Sequence, residues 1–148
     1  MKVEICQSGG FKVPHKYITQ LFNEAEKVMP RFRSSEVSIA FVGNSTIKSL
    51  NKRYRRINKV TDVLSFSEKE SRISFAPKDY LGEIVICYPR AKQQARENKH
   101  SIREELAILL AHGFLHLIGY DHGQPKEARK MKKWERKILN KTGTRGKS

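Results

Sequence analysis

Cysteine is scarce in this chain of 148 residues, which contains only Cys6 and Cys87. The two lie far apart in the sequence, and each falls within an apolar stretch. This pattern is typical of small buried side chains in a reducing compartment, and it disfavours a disulfide framework or a cysteine metal site. We therefore expect both thiols to be buried and neither to have a disulfide partner.

Long apolar runs are also missing. The most apolar segment, residues 106–118, is interrupted by two histidines, and it is shorter than the roughly 20 residues that a bilayer-spanning helix needs. The N-terminal residues Met1–Cys6 lack the apolar core of a secretory signal. These absences predict a cytoplasmic protein with no membrane partner.

Acidic residues are half as common as basic ones, 15 against 30, which gives a formal net charge of +15. Residues 48–59 contain six basic side chains and no acid, and residues 126–147 contain ten against Glu127 and Glu135. Such clustering favours a polyanionic partner such as nucleic acid, whereas a lysine-rich surface suited to solubility or heat tolerance is the alternative. The candidate substrate-binding residues in these clusters are Lys52, Arg53, Arg56, Lys132 and Lys133.

Histidine is concentrated at one place, since three of the five lie within residues 112–122. The spacing of four places His112 and His116 on one face of a helix. Gly119 suits a left-handed turn that ends the helix, and the reversal can bring His122 back towards the other two. Three neutral imidazoles would hold a zinc-like ion at about 2.0–2.1 Å and leave a fourth position for water, which favours a catalytic site over a structural one. The alternative is that the histidines share a helix by accident.

Strand and helix patterns alternate along the chain, with no internal repeat or low-complexity linker. They predict one α+β domain over residues 1–141, in which a small mixed sheet is packed with helices and carries a zincin-like metal helix. The basic tail, residues 142–148, is expected to fray. Asn44 or Ser45 is predicted to cap the second helix, and Ser101 begins a capping box for the histidine helix. Strands are expected at 2–6, 37–42, 63–66 and 81–88, and helices at 14–28, 44–54, 89–98, from 101 through the histidines, and 126–140.

The segment His-Gly-Phe-Leu-His-Leu-Ile-Gly-Tyr-Asp-His at residues 112–122 resembles the signature of the YbeY family, bacterial metal-dependent endoribonucleases that act in ribosomal RNA maturation. The likeness extends over residues 35–140. Val60 departs from the proline usual in the family, which changes the stiffness of a loop and leaves the metal site untouched. The further matching blocks are residues 50–55, 61–66 and 81–86, together with Glu104-Glu105-Leu106 before the histidine helix.

The resemblance implies that His112, His116 and His122 are zinc ligands, with one ion per chain and another divalent metal as an option. It also implies that Arg55 is a functional arginine near the metal. The implied activity is cleavage of single-stranded RNA in 3′-end maturation of small-subunit (16S) ribosomal RNA and in ribosome quality control. The implied partners are ribosomal RNA and the small ribosomal subunit or its assembly factors.

A zinc peptidase is the alternative enzyme, because the histidine spacing also matches His-Glu-x-x-His-x-x-Gly-x-x-His, whose glutamate is a general base. Here that position is Gly113. Glycine costs about 1 kcal/mol in a helix relative to alanine, so its presence suggests a need for space or close backbone approach. Phosphodiester cleavage can instead rely on the metal and on a guanidinium such as that of Arg55. The alternative from another class is an RNA-binding ribosome assembly factor with a structural metal.

Three further residues have two interpretations each. Asp121, beside the last ligand, could orient an imidazole or take a proton, or it could only shape the turn. Ser65 could line the substrate groove, although a strand serine needs no such role. Glu105 lies two helical turns before His112 and could reach a ligand nitrogen, but a solvated carboxylate is the favoured interpretation.

Overall fold

A computed structural model describes residues 1–70 and 78–142, apart from the side chain of Lys141. The predicted order of strands and helices is confirmed, with bounds that differ by at most one residue. A short 3₁₀ turn at Pro30–Phe32 was not predicted. The tail from residue 143 onwards lies outside the described residues, so its fraying stays a prediction. The strands are β1 (Lys2–Gln7), β2 (Glu36–Val42), β3 (Val63–Ser67) and β4 (Tyr80–Cys87), and the helices are α1 (His15–Val28), α2 (Asn44–Arg55), α3 (Tyr88–Glu97), α4 (Ile102–Leu117) and α5 (Pro125–Lys141).

The four strands form one mixed sheet in the order β1-β2-β4-β3. The β1–β2 and β2–β4 pairs are parallel, and β3 runs antiparallel to β4, with Ser65 opposite Ile84. This arrangement confirms the predicted α+β class. It also places β3, with its functional candidates, at one edge of the sheet.

Side chains of the inner strands alternate between two apolar clusters, as expected when helices cover both faces of a sheet. One cluster holds Ile39 and Ile84 together with residues of α1, α4 and α5. The other holds Ala40 and Val85 together with Ile47 of α2. The sheet therefore lies between α2 on one face and the histidine-bearing helix α4 on the other.

Helix α4 is buried along most of its length. It begins at the predicted cap, because the Ser101 hydroxyl accepts a hydrogen bond of 3.1 Å from the Glu104 backbone N–H. Its apolar residues pack on the sheet and on α5, and the cluster includes Leu110 and Phe114. No helix in the described part of the chain combines the length and apolarity that a bilayer crossing requires.

Helix α2 begins differently from the prediction. Gly43 occupies the N-cap position, and Asn44 is already in the first turn. The Asn44 side chain instead accepts a hydrogen bond from the Cys87 thiol at 3.2 Å. The predicted capping role of Asn44 or Ser45 was therefore wrong, because the Asn44 amide connects α2 to β4.

The two cysteines differ in burial. Cys87 is buried as predicted, and its burial raises the pKa of the thiol. Cys6 is exposed, so the prediction of a second buried thiol was wrong. The reason is that β1 is an edge strand: Val3 and Ile5 face the core, and the alternate side chains point away from it. Both cysteines are free thiols.

Candidate metal centre

The last two turns of α4 and the reversal that follows bring the three histidines together. His112 and His116 lie one turn apart on the helix, which ends at Leu117. Gly119 has a φ of +103°, a conformation that strains residues with a side chain. Its N–H donates to the His116 carbonyl at 3.1 Å, and this bond closes the turn. The predicted reversal is confirmed, and it returns His122 to the helix end.

The histidine rings are close enough to share one cation. Their candidate ligand atoms all lie within 4.8 Å of one another. Nε2 of His112 and Nε2 of His116 are 3.1 Å apart. Two nitrogens bound at about 2.0–2.1 Å to a tetrahedral ion would lie about 3.3 Å apart. The donor set and its spacing therefore fit a divalent metal ion.

The environment of His116 favours its metal-binding form. Burial lowers the pKa of this imidazole, and the neighbouring His112 and His122 lower it further. A lowered pKa keeps the ring neutral, and only a neutral imidazole offers a lone pair to a metal. The His122 side chain is 63% exposed, which places it at the solvent side of the site.

A carboxylate that the sequence analysis missed lies against the first ligand. Nδ1 of His112 is 2.6 Å from Oε1 of Glu135, a residue of α5. The sequence shows Glu135 only as one of two acids in a basic segment. A signal was present, however, because Met131, Glu135 and Ile138 follow helical spacing and place this carboxylate on the buried side of α5.

A cleft of about 750 Å³ opens beside the histidines. Among the described residues, its charged lining residues other than the histidines are Arg55, Asp62 and Glu70. Ser65 also lines the cleft. The structure thus brings Arg55 and Ser65 into the same cleft as the three histidines, and two acids and one arginine lie among the described lining residues.

Arg55 is held at the cleft by three kinds of contact. Its Nη1 donates to Oε2 of Glu70 at 2.7 Å, and its Nη2 donates to the Ser65 carbonyl at 2.8 Å. The guanidinium carbon lies 5.0 Å from the centre of the Phe66 ring. The group is therefore oriented by β3, and Glu70 occupies part of its donor fork.

Gly113 lies where α4 approaches the sheet. A Cβ atom at this position would come within 2.9 Å of Ile84 Cγ2 and 3.2 Å of Ser65 Oγ. The Ser65 hydroxyl also donates to the Gly113 carbonyl at 3.4 Å. The glycine therefore permits close packing, and the crowding atoms belong to β3 and β4.

Asp121 lies in the loop between Gly119 and His122 and is largely exposed. Its Oδ1 accepts a hydrogen bond of 2.7 Å from the His122 backbone N–H. The same oxygen is 4.0 Å from the His122 Nδ1, which is too long for a hydrogen bond. The contact present is one that shapes the turn, and a catalytic role for Asp121 stays a prediction.

Glu105 is fully buried and contacts His100, the histidine just before α4. The favoured interpretation of a solvated carboxylate was therefore wrong. Among the described contacts, Glu105 does not reach any of the three clustered histidines. It lies near the start of α4, whereas the metal site lies at the end of that helix.

The basic candidates lie outside the cleft. Arg53 is exposed, and its guanidinium carbon lies 5.4 Å from the centre of the Tyr54 ring. Tyr54 itself packs edge-on against Phe66, with 5.2 Å between ring centres. The other candidates, Lys52, Arg56, Lys132 and Lys133, are also exposed, and none of the five lies among the described residues that line the cleft. Their contact with substrate stays a prediction.

Comparison with known proteins identifies the family to which this chain is similar. The sequence profile of Endoribonuclease YbeY matches residues 7–143. A protein of that name from Phytoplasma australiense is 37% identical over 143 residues, 95% of each chain. Its namesake from Geobacillus thermodenitrificans is 42% identical over 132 residues, 85% of each chain. The solution structure of a Thermotoga maritima protein superposes with a TM-score of 0.60 at 27% identity, covering 94% of this chain and 90% of that one. The chain therefore belongs to the YbeY family of endoribonucleases.

Proposed function

We propose that this chain is a metal-dependent endoribonuclease that cleaves single-stranded RNA. The observation that carries the proposal is the convergence of three imidazoles in one cleft with the Arg55 guanidinium. The relatives named Endoribonuclease YbeY support it. We assign its substrate to ribosomal RNA, in 3′-end maturation of the small-subunit RNA and in ribosome quality control. The small subunit or its assembly factors are then its partners, and the cytoplasm is its location.

We assign one Zn²⁺ ion to His112, His116 and His122, since neutral imidazoles are ligands that zinc favours. When bound, such an ion polarises a phosphoryl oxygen and makes its coordinated water more acidic. The charge of the cleft supports a cation at this place. Without a cation, an RNA phosphate beside the histidines would meet two acids, Asp62 and Glu70, and one arginine, Arg55, among the described lining residues.

We propose that Arg55 binds the scissile phosphate. Its planar fork offers paired donors to two oxygens, a geometry that matches a phosphodiester as well as a carboxylate. In the structure Glu70 accepts from both terminal nitrogens, at 2.7 Å from Nη1 and 3.4 Å from Nη2, while the Ser65 carbonyl accepts from Nη2 at 2.8 Å. The Glu70 side chain is 47% exposed, and ion pairs at such positions are weak. Substrate can therefore replace this carboxylate at modest cost.

A Glu70→Gln substitution tests that exchange. We expect a lower KM for single-stranded RNA, by up to about fivefold, because removing an exposed ion pair releases at most about 1 kcal/mol. The value of kcat should stay unchanged, since Glu70 competes with the phosphate for the paired donors of Arg55 and takes no part in the reaction. Steady-state kinetics on a fluorescent RNA measure both constants.

Glu68→Gln is the matched control, because Glu68 is an exposed acid two residues away that does not line the metal cleft. It changes the net charge by the same amount. If the two variants have the same KM, Glu70 does not compete with RNA.

We assign the exposed basic residues of α2 and α5 to the phosphates that flank the cleavage site. RNA affinity should then fall as salt rises, with a slope of about −0.7 in log–log form for each phosphate contacted. Reversing the charge of Lys132 and Lys133 to glutamate should make this slope shallower and weaken binding across sequences, while turnover at saturating RNA persists. Fluorescence anisotropy over a series of salt concentrations measures the slope.

The same double reversal at Lys16 and Lys92 is the control. Both are exposed lysines, on α1 and α3, and neither lines the metal cleft. If both double variants show the same salt slope, the basic side chains of α5 form a solvated surface and do not contact RNA.

The peptidase alternative lacks its general base at Gly113, and the packing against Ile84 and Ser65 crowds any side chain there. The assembly-factor alternative needs a closed metal site, whereas three described donors leave one position open. A single experiment separates the three. Chelator-treated protein, with and without added Zn²⁺, is incubated with an RNA carrying a single-stranded 3′ extension, with a fully paired RNA, and with a peptide.

We expect metal-dependent cuts within the single-stranded extension only. Peptide cleavage would overturn the substrate assignment. Binding of RNA without any metal-dependent cleavage would favour the assembly factor.

A further inference from the structure

The His112 ring has a neighbour at each of its two nitrogens. Nδ1 lies 2.6 Å from Oε1 of Glu135, and Nε2 lies 3.1 Å from Nε2 of His116. We infer that Glu135 is a positioning residue of the metal centre, which orients the His112 imidazole from the neighbouring helix α5. The inference rests on the proposed metal site and names a residue outside the three-histidine motif.

The chemistry of the pair supports this role. An ionised carboxylate can only accept hydrogen bonds, so a 2.6 Å contact places the ring proton on Nδ1. The lone pair is then on Nε2, the nitrogen that faces His116. Carboxylates that hold a metal-binding histidine in this way fix its tautomer and its ring orientation, and they make it a better donor.

The position of Glu135 is built into the helix packing. Its side chain is 23% exposed, and it lies on the same face of α5 as the buried Met131 and Ile138. Those two side chains belong to the core cluster that also contains α4. The carboxylate is therefore carried on a packed helix and is partly buried, whereas the Asp121 side chain is 72% exposed.

The competing explanation is a purely structural link between α4 and α5. A structural link predicts that its loss lowers the free energy of unfolding and leaves metal affinity unchanged once the protein is folded. An orienting role predicts a specific loss of metal affinity. It also predicts a change in the visible absorption bands of bound Co²⁺, which respond to the geometry of the ligands.

The experiment measures Zn²⁺ affinity without RNA, by competition with a chromophoric chelator, and records the Co²⁺ spectrum of each variant. Glu135→Leu removes the acceptor, and we expect its Kd for Zn²⁺ to rise about 10–100-fold. Glu135→Gln keeps a carbonyl oxygen that can accept the same bond, so its affinity should lie between those of the leucine variant and the wild type. Glu127→Gln, which removes an acid from the first turn of the same helix, should leave the Kd unchanged.

A leucine variant with wild-type Kd and an unaltered Co²⁺ spectrum would overturn the inference. If that variant fails to fold, Glu135→Ala decides by the same comparison. The proposed function has a different test. It fails if the wild-type protein binds no metal or cuts no RNA. Wild-type protein that binds Zn²⁺ and cleaves RNA, beside a leucine variant of equal affinity, would reject only the role of Glu135.

Discussion

Replacing His116 by alanine is expected to remove the bound metal and with it the RNA cleavage. The His116 ring lies close to both other imidazoles, with its centre 4.6 Å from that of His112 and 5.3 Å from that of His122. Two remaining imidazoles are too few for a stable zinc site, which takes at least three protein ligands. We expect metal content to fall from about one ion per chain to below about 0.1, and cleavage to fall by at least about 100-fold.

Metal analysis of the purified variant and a gel assay with excess Zn²⁺ measure these losses, and circular dichroism reports whether the domain is folded. His15→Ala is the matched control, because His15 is exposed at the start of α1 and contacts only the Val13 carbonyl among its described hydrogen bonds. The assignment fails if protein with all three clustered histidines replaced by alanine still holds one ion per chain.

The metal site could be predicted from the sequence because most of its geometry is local. A spacing of four residues places His112 and His116 on one helix face whatever the rest of the fold does. Gly119 then marks the end of that helix, as its φ of +103° confirms. Only the position of His122 depends on the loop. Tyr120 and Asp121 alone separate it from Gly119, so His122 must lie near the end of the helix.

Glu135 could not be found in the same way, because its contact joins two helices. It lies 23 residues from His112 in the chain, and their meeting depends on how α5 packs on α4. Its identity as an acid is no guide, since Glu127 is also an acid of this helix. The informative signal is the apolar stripe of Met131 and Ile138, which the carboxylate interrupts.

The environment of Arg55 likewise could not be predicted from the sequence. Its proximity to the histidines follows from the family resemblance, but its bonds to Glu70 and the Ser65 carbonyl arise where α2, β3 and the chain after β3 meet.

The exposure of Cys6 has a similar origin. An apolar neighbourhood in the sequence predicts burial, whereas the edge position of β1 decides which alternate side chains reach the core.

The structure sharpens what Arg55 is expected to do. Both terminal nitrogens donate to Glu70, Nη1 to Oε2 at 2.7 Å and Nη2 to Oε1 at 3.4 Å, and Nη2 also donates to the Ser65 carbonyl at 2.8 Å. When substrate replaces Glu70, Nη1 and Nη2 can each donate to a phosphoryl oxygen while the Ser65 carbonyl keeps the guanidinium in place. A lysine has one ammonium on a flexible chain and cannot make both contacts with the same planar geometry.

Arg55→Lys is therefore expected to lower kcat by about 10²–10³, because loss of a donor that stabilises developing charge commonly costs about 2.7–4 kcal/mol. Metal content and fold should be unchanged, since none of the three histidines contacts Arg55 among the described hydrogen bonds. Single-turnover cleavage at saturating RNA, with metal analysis of the same sample, measures the effect. Arg33→Lys, at an exposed arginine outside the cleft, is the control and should retain wild-type turnover. Full activity in Arg55→Lys would mean that one positive charge suffices there, and the paired-donor role of the guanidinium would have to be abandoned.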